Sequence, residues 1–202
     1  MAFIDVVSPQ QAGGRLEKTY RRIQAPDGQV DNVLQVHSLR PHTLEGHMAI
    51  YKAVLHHSSN QLPEWYLEAV GVIVSSLNGC DYCAGHHSVG LRRLLEAESR
   101  DVEAYLAALS EAVPGEPFTA REQLGLAYAR KLTHVPGQIE EADIAALRKA
   151  GFDDGEILAL NQVAAYFAYA NRTVSGLGVN TGGEVLGQSP ATGDDGSGWT
   201  HG

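Results

Sequence analysis

The chain has 202 residues, 15 Lys plus Arg against 24 Asp plus Glu, and a formal charge of −9. That length fits one domain, the 44% of apolar residues are enough for one sizeable core, and the negative charge excludes a phosphate backbone or an anionic membrane surface as the expected partner. Two cysteines separated by only two residues are no disulfide framework, and the start, Met1-Ala2-Phe3-Ile4-Asp5, lacks the basic and apolar regions of a secretion signal. No apolar run approaches the roughly 20 residues that span a bilayer, so the expected setting is cytoplasmic and reducing.

Residues 1–40 mix short apolar pieces with Gly13-Gly14, Pro26 and Asp27-Gly28, which predicts an extended N-terminal arm with one short helix over Gly14 to Gln24. After Pro41, Thr43 can cap a helix in which Leu44, Met48, Tyr51 and Leu55 recur at spacings of three and four, ending near His56-His57-Ser58-Ser59. Pro63-Glu64 opens a second stripe of Leu67, Val70, Val74 and Leu77; Val72-Ile73-Val74 alone could be a buried strand, but length and the opening proline favour helix.

Asn78-Gly79 breaks that helix, and the next is expected to start at Cys80 and run past Leu94. Further helices are expected over Ser99 to Ala112, Thr119 to Leu132 with the box Thr119-Ala120-Arg121-Glu122, Glu140 to Ala150, and Asp153 or Asp154 to Ser175. No polar–apolar alternation demands a sheet, so the fold class is all-α, in a single domain over 41–178. An offset of 90 positions lays Asp154 to Gly176 over Glu64 to His86, the trace of a duplicated helical hairpin in which only the first copy carries chemistry. Nine glycines in the 27 residues from Gly176 predict an irregular tail, assigned to 179–202.

The chemistry is concentrated between Glu68 and His87. Cys80 and Cys83, three apart at a helix start, can bring their sulfurs together, and the free amides and macrodipole there favour a thiolate. His87, one turn beyond Cys83 on the same face, can take or return a proton. On one continuous helix Glu68 would stand about 18 Å from Cys80, too far for contact. The break at Asn78-Gly79 removes that constraint and lets Glu68 swing beside the dithiol as a base for Cys80, directly or through a water, with His87 completing the relay.

Other readings of these residues are a zinc site completed by His56, His57, His86 or His87, and two merely buried cysteines. Haem attachment fails because Ala84 follows Cys83, and a thioredoxin-like reading lacks its βαβ context. His86 points about 100° away from His87, so it is expected at a surface or interface, with one of the two imidazoles at the sulfurs. The expectation for His42, His47, His56, His57 and His134 is a structural role. Tyr166-Phe167-Ala168-Tyr169 reads first as core or subunit interface and second as a pocket wall.

The pattern Glu68, Cys80, Cys83, His87 resembles the signature of the alkylhydroperoxidase D and carboxymuconolactone decarboxylase-like family. Leu77-Asn78-Gly79-Cys80-Asp81-Tyr82-Cys83 with His86-His87 is similar to its peroxidase-related branch, as are Val36-His37-Ser38-Leu39-Arg40-Pro41, Asn171-Arg172 and Gly176-Leu177-Gly178. The resemblance covers about residues 5–180 and implies an alkyl hydroperoxide reductase-type peroxidase without cofactor or metal. It assigns Cys83 as the peroxidatic thiol, Cys80 as the resolving one, and Glu68 and His87 as the proton relay. The implied partners are a hydroperoxide, a lipoylated or thioredoxin-like dithiol reductant, and further copies of the chain as a dimer, trimer or hexamer. Tyr82 stands where the family's best-characterised peroxidases have a histidine, and an ordinary phenol is no base at neutral pH. A redox-sensing or disulfide-exchange protein is therefore the alternative, and a decarboxylase-like activity a further one, although the family's decarboxylases lack the dithiol.

Overall fold

The computed structural model describes residues 2–25, 28–111 and 114–187, and within them the chain is helical with no strand. In order, the helices are α1 Gly14–Ile23, α2 Asn32–Gln35, α3 Pro41–Tyr51, α4 Glu64–Leu77, α5 Asp81–Ala97, α6 Val102–Ser110, α7 Ala120–His134, α8 Glu141–Lys149 and α9 Asp154–Gly176. A π-helical turn, Lys52–His56, continues α3, and a 3-10 turn, Pro136–Gln138, follows α7.

The hydrophobic pattern explains the layering. Every residue of α4 from Trp65 to Ser75 is buried, which suits a helix apolar on all sides, and α5, α7 and α9 pack around it. Val72-Ile73-Val74 is thus the middle of a buried helix, its backbone groups paired within the helix. Thr119 with Glu122 and Asp153 with Glu156 close reciprocal capping boxes at the starts of α7 and α9. Pro41, in the first turn of α3, starts that helix ahead of Thr43, whose hydroxyl donates to the Arg40 carbonyl and meets His37 Nδ1. The helix expected from Ser99 begins at Val102, because Ser99 is left-handed and Asp101 supplies the cap; Ala112 lies outside the described residues.

Two segments are tied in more closely than their glycines suggest. Within residues 1–40, α1 and α2 place Leu16, Tyr20, Ile23 and Leu34 in the main core. Of the tail, 179–187 is described and turns back over α5, Leu186 reaching Gly85 and Gly187 lying against Val89; 188–202 lies outside the described residues. The stretches that overlay at an offset of 90 positions also differ: α9 runs unbroken where α4 gives way to α5.

That break is a Schellman turn. Gly79 is left-handed, its N–H donates to the Ser76 carbonyl, and the Cys80 N–H donates to the Ser75 carbonyl. Cys80 is thereby both the residue that closes α4 and the N-cap of α5. Asn78 Nδ2 donates to Asn171 Oδ1, and Asn171 Nδ2 donates to Ser75 Oγ, so a buried amide on α9 clamps the last turn of α4 and its C-cap.

The approach of α9 to α4 depends on Gly71, where an added Cβ would stand 2.3 Å from Phe167 Cε2. Gly71→Ala is expected to lower stability by about 1–3 kcal/mol through overpacking. Gly46→Ala, on an open stretch of α3 with nothing within 4 Å, is expected to raise it by about 0.5–1 kcal/mol. Urea denaturation of the two variants checks the pair, and a neutral Gly71→Ala would refute the close approach.

Candidate active site

The turn at Gly79 brings Glu68 and His87 together. His87 Nδ1 and Glu68 Oε2 are 2.6 Å apart, with the Glu68 side chain wholly buried and the His87 side chain 13% exposed. Phe167 stands edge-on to the imidazole at 4.6 Å between ring centres. A carboxylate on Nδ1 fixes the tautomer: Nδ1 carries the proton and Nε2 presents a lone pair. Glu68 Oε1 is buried without a hydrogen-bond partner.

Cys80 and Cys83 form a disulfide with their Cα atoms 5.4 Å apart, and Cys80 Sγ also accepts the Cys83 N–H at 3.4 Å. The two cysteines are 2% and 5% exposed, so neither sulfur lies open on the surface. Cys83 lines a cavity of about 50 Å³ together with His87, His86, Tyr51, Tyr166 and Phe167. His47, Met48 and Ala170 close its far wall, and Asp31, Val33, Leu34 and Tyr82 complete it.

Of the predicted residues, Glu68 and His87 are brought into hydrogen-bond contact, and the imidazole in turn lines the cavity of Cys83. His86 is not a surface residue, since both histidines line the cavity. The tail accounts for this: Glu184, 4% exposed, reaches His86 Nε2 at 3.2 Å, and the Gly187 N–H donates to His86 Nδ1. Glu184 also accepts the Asn32 N–H at 2.7 Å, so one carboxylate ties the tail to α2 and α5.

Tyr82 packs its ring 4.5 Å from that of His86, and its hydroxyl accepts the Val33 N–H. Burial first, then Glu184 and Asp31, push its phenol up, so it remains a neutral hydrogen-bonding post for α2. Tyr166 and Phe167 are both core and cavity wall, while Tyr169 is 42% exposed. His56 belongs elsewhere, buried against Glu64 at 2.6 Å, and His57 turns its ring to the Ser59 N–H. Among the described residues no group of three or more His, Cys, Asp and Glu is arranged to hold a metal ion.

His47 is the cavity residue whose role the sequence reading missed. It shares the buried face of α3 with Leu44, Met48 and Tyr51, a spacing that marked it as inward-facing. Its Nε2 lies 3.3 Å from the Tyr166 hydroxyl and its ring 5.1 Å from that of His37. Burial, with a smaller contribution from His37, pushes its pKa down to about 3, and burial lowers His37 as well. Burial also pushes Tyr166 up, reinforced by Glu68 and Tyr169, so this wall of the cavity is uncharged at neutral pH.

These features define a helical protein in which the second cysteine of a buried disulfide lines a histidine-walled cavity. No family model and no curated protein matches the chain. Among solved structures it is similar to an uncharacterized peroxidase-related protein from Silicibacter sp. TM1040, at 29% identity over 87% of this chain and 86% of that one, with a TM-score of 0.71. A second, the alkylhydroperoxidase AhpD core of an uncharacterized peroxidase-related protein from Ralstonia eutropha JMP134, matches at 23% identity over 89% and 91% of the two chains with a TM-score of 0.75. A debrominase solved with 2,3,4-tribromopyrrole shares the fold at 18% identity over 87% and 91%, with a TM-score of 0.65. The chain thus shares the fold of alkylhydroperoxidase D-like, peroxidase-related proteins. No helix of the described residues is long and apolar enough to cross a membrane.

The depressed pKa values of His37 and His47 carry a stability consequence. Both imidazoles are neutral when folded and take protons more readily when unfolded, so their contribution is complete above the ordinary pKa of about 6.5. It is lost as pH falls from there toward the folded value of about 3 for His47. Denaturation midpoints are expected to fall between pH 7 and pH 4.5, with a shallower decline in His47→Phe; equal slopes in the two proteins would contradict the assignment.

Proposed function

We propose that the protein is a dithiol peroxidase that reduces hydroperoxides through Cys83 and Cys80. The observation that carries this reading is the shared cavity, in which Cys83 stands with a histidine held at 2.6 Å by a buried carboxylate. Likeness to peroxidase-related proteins supports it, while the fold shared with a debrominase supports an enzyme without fixing the reaction.

In the reduced protein, Nε2 of His87 takes the Cys83 thiol proton while Glu68 holds Nδ1–H and stabilises the imidazolium. The thiolate attacks the peroxide oxygen, an S–O bond forms and the O–O bond breaks. The departing alkoxide or hydroxide takes its proton back from His87, leaving a Cys83 sulfenic acid. Cys80, deprotonated, attacks that sulfur; hydroxide leaves, is protonated to water, and the disulfide forms. An external dithiol then reduces the pair by exchange, lipoylated or thioredoxin-like in this reading. The cavity of about 50 Å³ has room for a group of a few non-hydrogen atoms, which suits a hydroperoxide head.

Consumption of cumene hydroperoxide and of hydrogen peroxide with excess dihydrolipoamide tests the proposal. Sustained turnover is expected for the native chain, none for Cys83→Ser or Cys80→Ser, and a fall of about 10²-fold in kcat for Glu68→Gln, the usual worth of an acid–base residue. Consumption that stops at one equivalent would assign the dithiol to sensing or exchange, and none would overturn the peroxidase altogether.

A further inference from the structure

One wall of the cavity carries a polar pair that takes no part in the thiol–imidazole relay. Tyr166 and His47 both line the chamber of Cys83, and the Tyr166 hydroxyl lies 3.3 Å from His47 Nε2. Both side chains are buried. They come from α9 and α3, whereas Cys83 comes from α5, so sulfur and phenol reach the chamber from different helices.

Proton accounting gives their hydrogen bond a direction. Burial keeps His47 neutral at pH 7, so its ring carries one proton. On Nδ1 that proton would make a buried N–H without an acceptor, since Nδ1 is buried and has no partner, and such orphaned donors are rare. His37 gives no relief: its ring is 5.1 Å away, yet its own Nε2 is equally without a partner. The proton therefore sits on Nε2 and is donated to the Tyr166 oxygen, and Nδ1 keeps a lone pair. The Tyr166 O–H is then uncommitted. By contrast, Glu68 holds His87 Nδ1–H, and Glu184 holds His86 Nε2–H while the Gly187 N–H occupies His86 Nδ1.

We propose that Tyr166, positioned by His47, donates its hydrogen bond to the oxygen that leaves when the Cys83 thiolate attacks a small uncharged hydroperoxide. This inference rests on the peroxidase reading and adds to it a donor for the leaving oxygen and the class of substrate the chamber takes. Negative charge develops on that oxygen as the O–O bond breaks, and a fixed donor in a buried site stabilises it strongly. Size and charge set the class. The cavity of about 50 Å³ has Leu34, Met48, Phe167 and Ala170 in its walls, which suit a short alkyl group, and no Lys or Arg lines it. With Asp31 in the lining, an anionic substrate such as a fatty-acid hydroperoxide is disfavoured.

The step balances without a proton from Tyr166. The Cys83 thiolate forms an S–O bond to the terminal oxygen, the O–O bond breaks, and its electron pair passes to the alkyl-bearing oxygen. Tyr166 holds that alkoxide by its O–H, and His87 returns to it the proton taken from the thiol. Cys83 is oxidised to the sulfenic acid and the hydroperoxide is reduced to the alcohol. Burial and the neighbouring Glu68 both hold the Tyr166 phenol in its protonated form, which suits a donor that keeps its proton.

The test compares two oxidants of nearly equal size, ethyl hydroperoxide and peracetic acid, on the reduced full-length protein by rapid quench and thiol titration. Ethoxide is a poor leaving group that needs a donor, and acetate a good one that does not. Tyr166→Phe is expected to slow oxidation by ethyl hydroperoxide about 10²-fold, as loss of one such donor does, and by peracetic acid less than about threefold. Equal slowing with both oxidants would show disturbed packing and overturn the assignment, as would no slowing with either. His47→Gln, which keeps an N–H for the Tyr166 oxygen, is expected to stay within about threefold of native with ethyl hydroperoxide, while His47→Phe falls about tenfold, the worth of one hydrogen bond. A glutamine variant no faster than the phenylalanine one would remove His47 from the role. Native protein that ethyl hydroperoxide does not oxidise would refute the peroxidase reading and this assignment with it, whereas rapid native oxidation with equal variant effects refutes the donor alone.

Discussion

One left-handed residue decides whether this chain has a site. With α4 and α5 continuous, Glu68 and His87 would lie on one rod about 28 Å apart. Gly79 folds the rod into a hairpin, and the two side chains meet at 2.6 Å. The Schellman bonds from Gly79 and Cys80 to Ser76 and Ser75 hold the fold-back, and Asn171 fastens it to α9. Because Cys80 is itself part of this turn, backbone geometry and thiol position are set by the same two hydrogen bonds.

The carboxylate at the centre is an expensive group to place. Burying an isolated charge is strongly unfavourable, and Glu68 is fully buried with only one oxygen hydrogen-bonded. The rigid walls of α4, α5 and α9 keep it where it is, and no residue of α4 between Trp65 and Ser75 can rotate toward solvent without emptying the core. The pair therefore belongs to the packing as much as to the chemistry, which is why its geometry is fixed by residues far from the sulfurs, such as Gly71 against Phe167.

The sequence made the helices legible because their signals are local: Pro63 before α4, the capping boxes of α7 and α9, and apolar spacings of three and four. It also brought out the dithiol and the turn that precedes it. What escaped was set by distant contacts. Glu184 lies in a glycine-rich stretch with no periodic signal, yet it pulls His86 into the cavity wall from 98 residues away. His47 carried a readable cue in the buried stripe of α3, but burial alone does not distinguish a core histidine from one facing a cavity. How closely Glu68 and His87 approach depends on how tightly the hairpin closes, which spacing does not encode.

The cavity is assembled from two groups of elements that answer to different demands. Cys83 and His87, the latter held by Glu68 of α4, come from α5 of the hairpin, whereas Leu34, His47, Met48, Tyr166 and Ala170 come from α2, α3 and α9. Residues of the second group can change in size or polarity without disturbing the turn that aligns the first. The scaffold is thus modular for evolution: a lineage can reshape the chamber while inheriting the hairpin and its disulfide unchanged.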